Sequence, residues 1–221
     1  MNLKDKRAVV TGGGSGYGAG IAAALVAAGA KVWITGRDAA KIERTAADIG
    51  ATPIAADVTR GEDWDRVFAA VGEVDVLVNN AGAAIRIAET ADQPDADIAA
   101  AIAVNLTGAI VNISSVCALH AWPGWSVYTA AKAGLLKFSH ALHTELRPHG
   151  VKVTCVIPSW GRTAFNRAAD ISGAAEDAAL AEKCIAPAEL GAIVRGILEQ
   201  PDHLTVPEVT VQPMVQDICP M

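Results

Sequence analysis

Arg7-Ala8-Val9-Val10-Thr11-Gly12-Gly13-Gly14-Ser15-Gly16-Tyr17-Gly18 stands near the start of the chain, and its parts decide the fold. The apolar run up to Val10 reads as a buried strand. It enters the glycine turn Thr11–Gly18 directly. Ala19–Gly29, rich in Ala, Ile, Leu and Val, then reads as a helix with Gly29 at its C-terminal stop. Strand, glycine turn and helix is the setting a phosphate cradle needs. Backbone N–H groups and the dipole at a helix N-terminus favour a pyrophosphate, and glycine lets the backbone take unusual dihedrals and approach the ligand. A glycine cluster alone is also compatible with a flexible loop; the strand before it and the helix after it point to a dinucleotide.

The rest of the chain repeats the alternation. Strands are predicted near Ala8–Val10, Lys31–Thr35, Thr52–Ala56, Val74–Val78, Ile110–Ile113, Val151–Ile157 and Thr205–Val211. Helices are predicted near Tyr17–Ala28, Ala39–Ile49, Asp63–Ala70, Asp95–Thr107, Ser126–Arg147 and Pro187–Glu199. Such a pattern implies an α/β fold: a doubly wound (Rossmann-type), mostly parallel sheet with helices on both faces and its ligand at the carboxyl ends of the strands. With 221 residues, 52% of them apolar, and no linker or repeat, one catalytic domain over 1–221 is expected.

Composition narrows the function. A net charge of −6 supplies no basic patch for nucleic acid. Cys117, Cys155, Cys184 and Cys219 lack CxxC or zinc spacing and the histidines show no HExxH pairing, so no metal is predicted. The charged start MNLKDKR runs straight into a strand, unlike a signal peptide. Charged residues and glycines break every apolar stretch short of membrane length. A cytoplasmic protein is expected.

Tyr128 and Lys132 stand four residues apart, with Ser115 thirteen positions upstream of Tyr128. Positions i and i+4 share a helix face. A free tyrosine has a pKa near 10, and bringing it to about 7 takes roughly 4 kcal/mol. A lysine charge about 4–5 Å away, at an effective dielectric near 20, supplies on the order of 3–4 kcal/mol. The pair therefore suits a general acid/base, although a Tyr and a Lys at this spacing also occur on ordinary solvated helix edges.

Together these segments resemble the short-chain dehydrogenase/reductase family along essentially the whole chain. Thr11–Gly18 matches its Thr-Gly-x-x-x-Gly-x-Gly turn, Asn79-Asn80-Ala81-Gly82 its fourth-strand motif, and Asn105, Ser115, Tyr128 and Lys132 its catalytic tetrad. The resemblance implies a seven-stranded sheet, a homo-oligomer, and hydride transfer between a nicotinamide cofactor and a secondary alcohol or ketone. In it Tyr128 moves the hydroxyl proton, Lys132 lowers the tyrosine pKa and binds the nicotinamide ribose, Ser115 bonds the substrate oxygen, and Asn105 holds a water beside Lys132. The resemblance also implies cofactor contacts from Thr11, Gly12, Ser15, Gly16, Tyr17 and Gly18 in the turn, from Asp57 and Val58, from Asn79, Ala81 and Gly82, and from Thr163. For Asp57 a turn cap before Val58-Thr59 is the competing role.

The end of the second strand bears on the cofactor. Where an NAD enzyme usually has a carboxylate for the ribose diol, this chain has Gly36, followed by Arg37, whose guanidinium suits a 2′-phosphate. NADP is therefore favoured over NAD, with Asp38 as the counter-indication. Trp122, Trp125, Trp160 and Phe165 lie in loops that line the pocket in such folds, where they suit an apolar or ring-bearing substrate or simply pack the loop bases. Two departures stand out. Ser159 follows Pro158 where the family commonly has glycine. The ten positions from Asn105 to Ser115 are far fewer than the family carries. Either the connection is truncated there or residues are missing at the join Gly108-Ala109-Ile110; the second is favoured, and it sets the Ala109 and Ile110 Cα atoms well beyond 3.8 Å apart. A non-catalytic, cofactor-binding sensor is the competing function.

Overall fold

In β1 (Arg7–Thr11) successive side chains point to opposite faces of the sheet, and both faces are apolar. Ala8 and Val10 join one core with Ile21, Leu25, Ile34, Leu190 and Val194. Val9 joins the other with Val67, Val71, Leu77, Ile110, Leu142 and Val153. A strand buried on both sides reads as a continuous apolar run, the signature of a parallel sheet covered by helices on both faces. The computed structural model describes residues 1–81, 106–122, 124–163, 165 and 182–216.

The seven strands are β1, β2 (Lys31–Gly36), β3 (Thr52–Ala55), β4 (Val74–Asn79), β5 (Leu106–Ile113), β6 (Lys152–Pro158) and β7 (Glu208–Val211). They lie in the order β3-β2-β1-β4-β5-β6-β7. All the pairings are parallel. Helices α1 (Gly16–Ala27), α2 (Ala39–Ile49), α3 (Gly61–Val71), α4 (Ser126–Leu146) and α5 (Pro187–Leu198) complete the described layers. Strand order reverses between β1 and β4, so their carboxyl ends flank the crevice where doubly wound sheets take their ligands. The expected fold class and strand count are those observed.

The short join is the main correction. Ala109 and Ile110 are consecutive residues of β5, paired in register with Val76 and Leu77 on one side and with Lys152 and Val153 on the other. The strand starts at Leu106, four residues before the expected Ile110. Gly108 is not a turn. Between the Val74–Leu106 and Val76–Ala109 pairs, one residue of β4, Asp75, opposes two of β5, Thr107 and Gly108, and a Cβ on Gly108 would fall 2.0 Å from the Asp75 carbonyl oxygen. A strand glycine at a bulge, where another backbone comes close, mimics a turn signal in the sequence.

Candidate active site

Gly12 turns the chain out of β1 in a left-handed conformation (φ +64°), and a Cβ there would lie 2.9 Å from the Ala81 Cα. At Gly18 a Cβ would lie 2.4 Å from the Gly12 carbonyl oxygen. Only glycine lets the first turn of α1 sit so close to the end of β1. The helix has no acidic residue in its first turn, and its N-cap Ser15 makes no side-chain cap, so its N-terminal N–H groups keep their preference for an anion.

The turn is clasped to β4. The buried Thr11 hydroxyl donates to the Val78 carbonyl (3.3 Å) and accepts from the N–H groups of Asn80 (3.0 Å) and Ala81 (2.9 Å). The Asn80 amide donates to the Thr11 (3.0 Å) and Gly12 (3.3 Å) carbonyls. Thr11 thus acts on the turn's shape, and Asn80, unassigned in the sequence reading, does as much. Its signal was its place inside Asn79-Asn80-Ala81-Gly82. Asn79 directs its amide to Asn112 (2.9 Å), which in turn donates to Ser139 on α4 (2.9 Å), a buried relay tying β4, β5 and α4 together. Gly82 and Asn105 lie outside the described residues. Leu106, bonded to Asn105, opens β5 at the amino edge of the sheet, seven residues and about 23 Å of strand before Ile113.

At the carboxyl end of β5, Ser115 caps a short 3-10 turn (Val116–Ala118), accepting from the Cys117 N–H at 3.2 Å. In the first turn of α4, Tyr128 comes close enough to the Ser115 hydroxyl for that group to favour its charged form. Lys132 extends along the same helix, with Nζ 5.8 Å from the Tyr128 ring centre, and donates to the Ile113 carbonyl at 3.0 Å. The Ser114 hydroxyl bonds the Lys132 carbonyl (3.0 Å). Ser115, Tyr128 and Lys132 therefore converge.

The tyrosine pKa differs from expectation. Burial pushes Tyr128 up to about 12, with the neighbouring Ser115 hydroxyl acting in the opposite direction. Burial likewise lowers Lys132. The simple two-charge calculation omitted the desolvation of both groups, which disfavours the charged form of each. At neutral pH this phenol carries its proton. Cys117, two residues after Ser115, is a buried thiol raised by the same desolvation.

The loop after β6 packs against the glycine turn. A Cβ on Gly16 would be 3.4 Å from the Thr163 methyl group. The Thr163 hydroxyl accepts from Phe165 N (3.3 Å), and the Phe165 ring lies 5.6 Å from that of Tyr128. Gly16, Thr163, Phe165 and Tyr128 thus form a run of contacts from the glycine turn to the tyrosine. Trp125 meets Tyr128 edge-on at 5.5 Å. Trp122 instead packs against Val116, Leu136, Cys155 and Ile157. Of these two tryptophans, one lines the tyrosine and the other fills a core.

Tyr17 reaches away from the turn to this loop, donating to the Ser159 carbonyl at 3.3 Å. Its hydroxyl occupies the space where a Gly161 side chain would be, 2.1 Å from an ideal Cβ. Gly161→Ala is expected to cost about 1–3 kcal/mol, a Tm loss of roughly 2–4 °C per kcal/mol, and Tyr17→Ala in the same chain should recover most of it. A Gly161→Ala protein that melts with the wild type would show that the ring yields without cost.

Arg37 and Asp38 follow β2. Asp38 accepts from Lys41 N (3.0 Å) as the cap of α2, and Arg37 is exposed, close enough to Asp57 to favour its charged form. The Asp57 carboxylate accepts from the Thr59 N–H (3.0 Å) and hydroxyl (2.7 Å), which hold its pKa down. The Val58 carbonyl accepts from the Trp64 indole at 3.0 Å. Asp57 therefore does form the turn cap set against its adenine role. Among the described residues no group of three His, Cys, Asp or Glu is placed to hold a metal, and no helix is long and apolar enough to cross a membrane.

A family model described as enoyl-(acyl carrier protein) reductase matches residues 12–200. An uncharacterized oxidoreductase of Staphylococcus aureus (strain MW2) is 30% identical over 236 residues, 96% of this chain and 99% of the relative. One from Staphylococcus saprophyticus is 31% identical over 97% of this chain and 100% of the relative. Among solved structures, a short chain dehydrogenase/reductase family protein superposes with a TM-score of 0.79 at 32% identity, covering 96% of this chain and 98% of the other. A putative betaketoacyl-ACP reductase does so with a TM-score of 0.75 at 32% identity, over 95% and 96%. The alignment runs over 236 positions, more than this chain's 221, so it opens gaps in this chain.

Proposed function

Because the chain belongs to the short-chain dehydrogenase/reductase family and is an oxidoreductase, we propose that it reduces a ketone, or oxidises the matching secondary alcohol, with NADP(H) as its favoured cofactor. The convergence of Ser115, Tyr128 and Lys132 at the carboxyl end of β5 carries this reading. The glycine turn of α1 suits the pyrophosphate, and Thr163 the nicotinamide end. When bound, the nicotinamide would supply or accept the hydride. The protein's own work is on the oxygen. Ser115 bonds the carbonyl oxygen where negative charge develops, and Tyr128, protonated at neutral pH, gives it a proton. Lys132, fixed by the Ile113 carbonyl, presents a cation beside the phenol and the ribose. Asn105 has no part in this proposal, and Ser115, Tyr128 and Lys132 suffice for the proton transfer. Trp125 and Phe165 against Tyr128 favour an apolar or ring-bearing substrate. The sensor alternative is not favoured, since relatives along the whole chain are oxidoreductases.

A screen of NADPH and NADH consumption with ketones, aldehydes and acyl carrier protein thioesters tests the proposal, which fails if no carbonyl compound oxidises either cofactor. Two observations support NADP(H). Asp38 is committed to the α2 cap, and Arg37 stands exposed at the end of β2. Arg37→Ala should weaken NADPH by roughly 10- to 150-fold, the worth of a charge-assisted contact, and NADH far less. Equal losses for the two cofactors would reassign the end of β2.

A further inference from the structure

The loop that carries Thr163 has its backbone groups held from several directions. Ser159 N donates to the Val211 carbonyl (2.9 Å) and Ile185 N to the Trp160 carbonyl (2.9 Å), while Arg162 N donates to the Ile185 carbonyl (2.8 Å) and Thr163 N to the Gly161 carbonyl (2.8 Å). The Ser159 carbonyl receives Tyr17. Trp160 N finds its acceptor in a side chain more than fifty residues away, the Gln216 Oε1 at 3.3 Å. The same oxygen accepts the Ser159 hydroxyl. Gln216 is only 6% exposed. It is brought there by a turn after β7, closed by Gln216 N to the Pro213 carbonyl (3.1 Å) and by the Gln212 amide to the Gln216 carbonyl (2.9 Å).

Ser159 is the position where the sequence departs from the glycine common in the family. Its hydroxyl has a dedicated acceptor, so the departure and the C-terminal glutamine form one device. We propose that Gln216 is a positioning residue: acting through Ser159 and Trp160, it holds the loop that presents Thr163 to the nicotinamide end of the cofactor. This rests on the dinucleotide site proposed above. Thr163 sits against Gly16, four residues beyond the Ser159 that Gln216 grips, so loosening the grip acts on one end of the ligand. The adenine side, built on β2 and β3, makes no contact with Gln216 among its described bonds.

The test compares ligands with and without the nicotinamide. Dissociation constants are measured on the full chain for NADPH and NADH, and for 2′-phospho-ADP-ribose and ADP-ribose, which lack the nicotinamide. The proteins are wild type, Gln216→Ala, Ser159→Ala and the double variant. Gln216→Ala should weaken the whole dinucleotides about 10-fold, the worth of one to two hydrogen bonds, and leave the fragments within about 2-fold. Ser159→Ala should show the same selectivity at roughly 3-fold, and the double variant should be no worse than Gln216→Ala. If Gln216→Ala does not fold, Ser159→Ala alone carries the comparison. Equal loss on dinucleotides and fragments, or no loss on either, would overturn the positioning role while leaving the site intact. A wild type that binds none of the four ligands would overturn the site itself, and this inference with it.

Discussion

Replacing Tyr128 by phenylalanine is expected to lower kcat by about 10²–10⁴-fold, the usual worth of a positioned general acid, and to leave cofactor affinity within a few-fold. The substitution keeps the ring between Trp125 and Phe165 and removes only the hydroxyl beside Ser115. Steady-state kinetics beside a direct binding titration checks it. More than about a tenth of wild-type kcat would contradict the assignment. The same phenol sets the pH dependence. Burial holds it protonated up to about 12. Ketone reduction needs that proton and should be flat from neutral to moderately alkaline pH. Alcohol oxidation needs the deprotonated form and should accelerate close to tenfold per pH unit over the same range. Parallel profiles for the two directions would mean that a different group moves the proton.

Lys132→Ala should damage both catalysis and binding, with kcat down by at least about 10²-fold and cofactor affinity reduced by roughly 10-fold or more. The ammonium is deeply placed, and its removal also strips the Ile113 carbonyl of its donor. Lys132→Met separates these effects because it preserves the packed stem. If Met restores cofactor affinity, the ribose contact is not made by the ammonium; if it restores turnover, the charge beside Tyr128 has no catalytic role.

The glycine turn and the Ser115–Tyr128–Lys132 spacing were legible because each is local. The first is set by backbone sterics within eight residues, the second by helical repeat and one strand-to-helix step. What escaped depends on distant partners. Gly108 reads as a turn until Asp75 is placed 2.0 Å from its missing side chain. Trp122 and Trp125 are equivalent in the sequence, yet Leu136 and Ile157 claim the first and Tyr128 the second. The tyrosine pKa turned on burial, which no spacing reports. Gln216 lay in a C-terminal stretch without any motif, and its meaning appears only opposite Ser159.

The bulged register of β5 has one more consequence. Ile110 to Ile113 stay locked, residue for residue, against β6, whatever length of chain leads into Leu106. The hydrogen-bond ladder acts as a ruler read from the carboxyl edge, and Ser115 keeps its distance from that edge however the preceding connection is cut or extended. Changing the length of the connection ahead of Leu106 should accordingly leave the spacing of Ser115, Tyr128 and Lys132 unaltered.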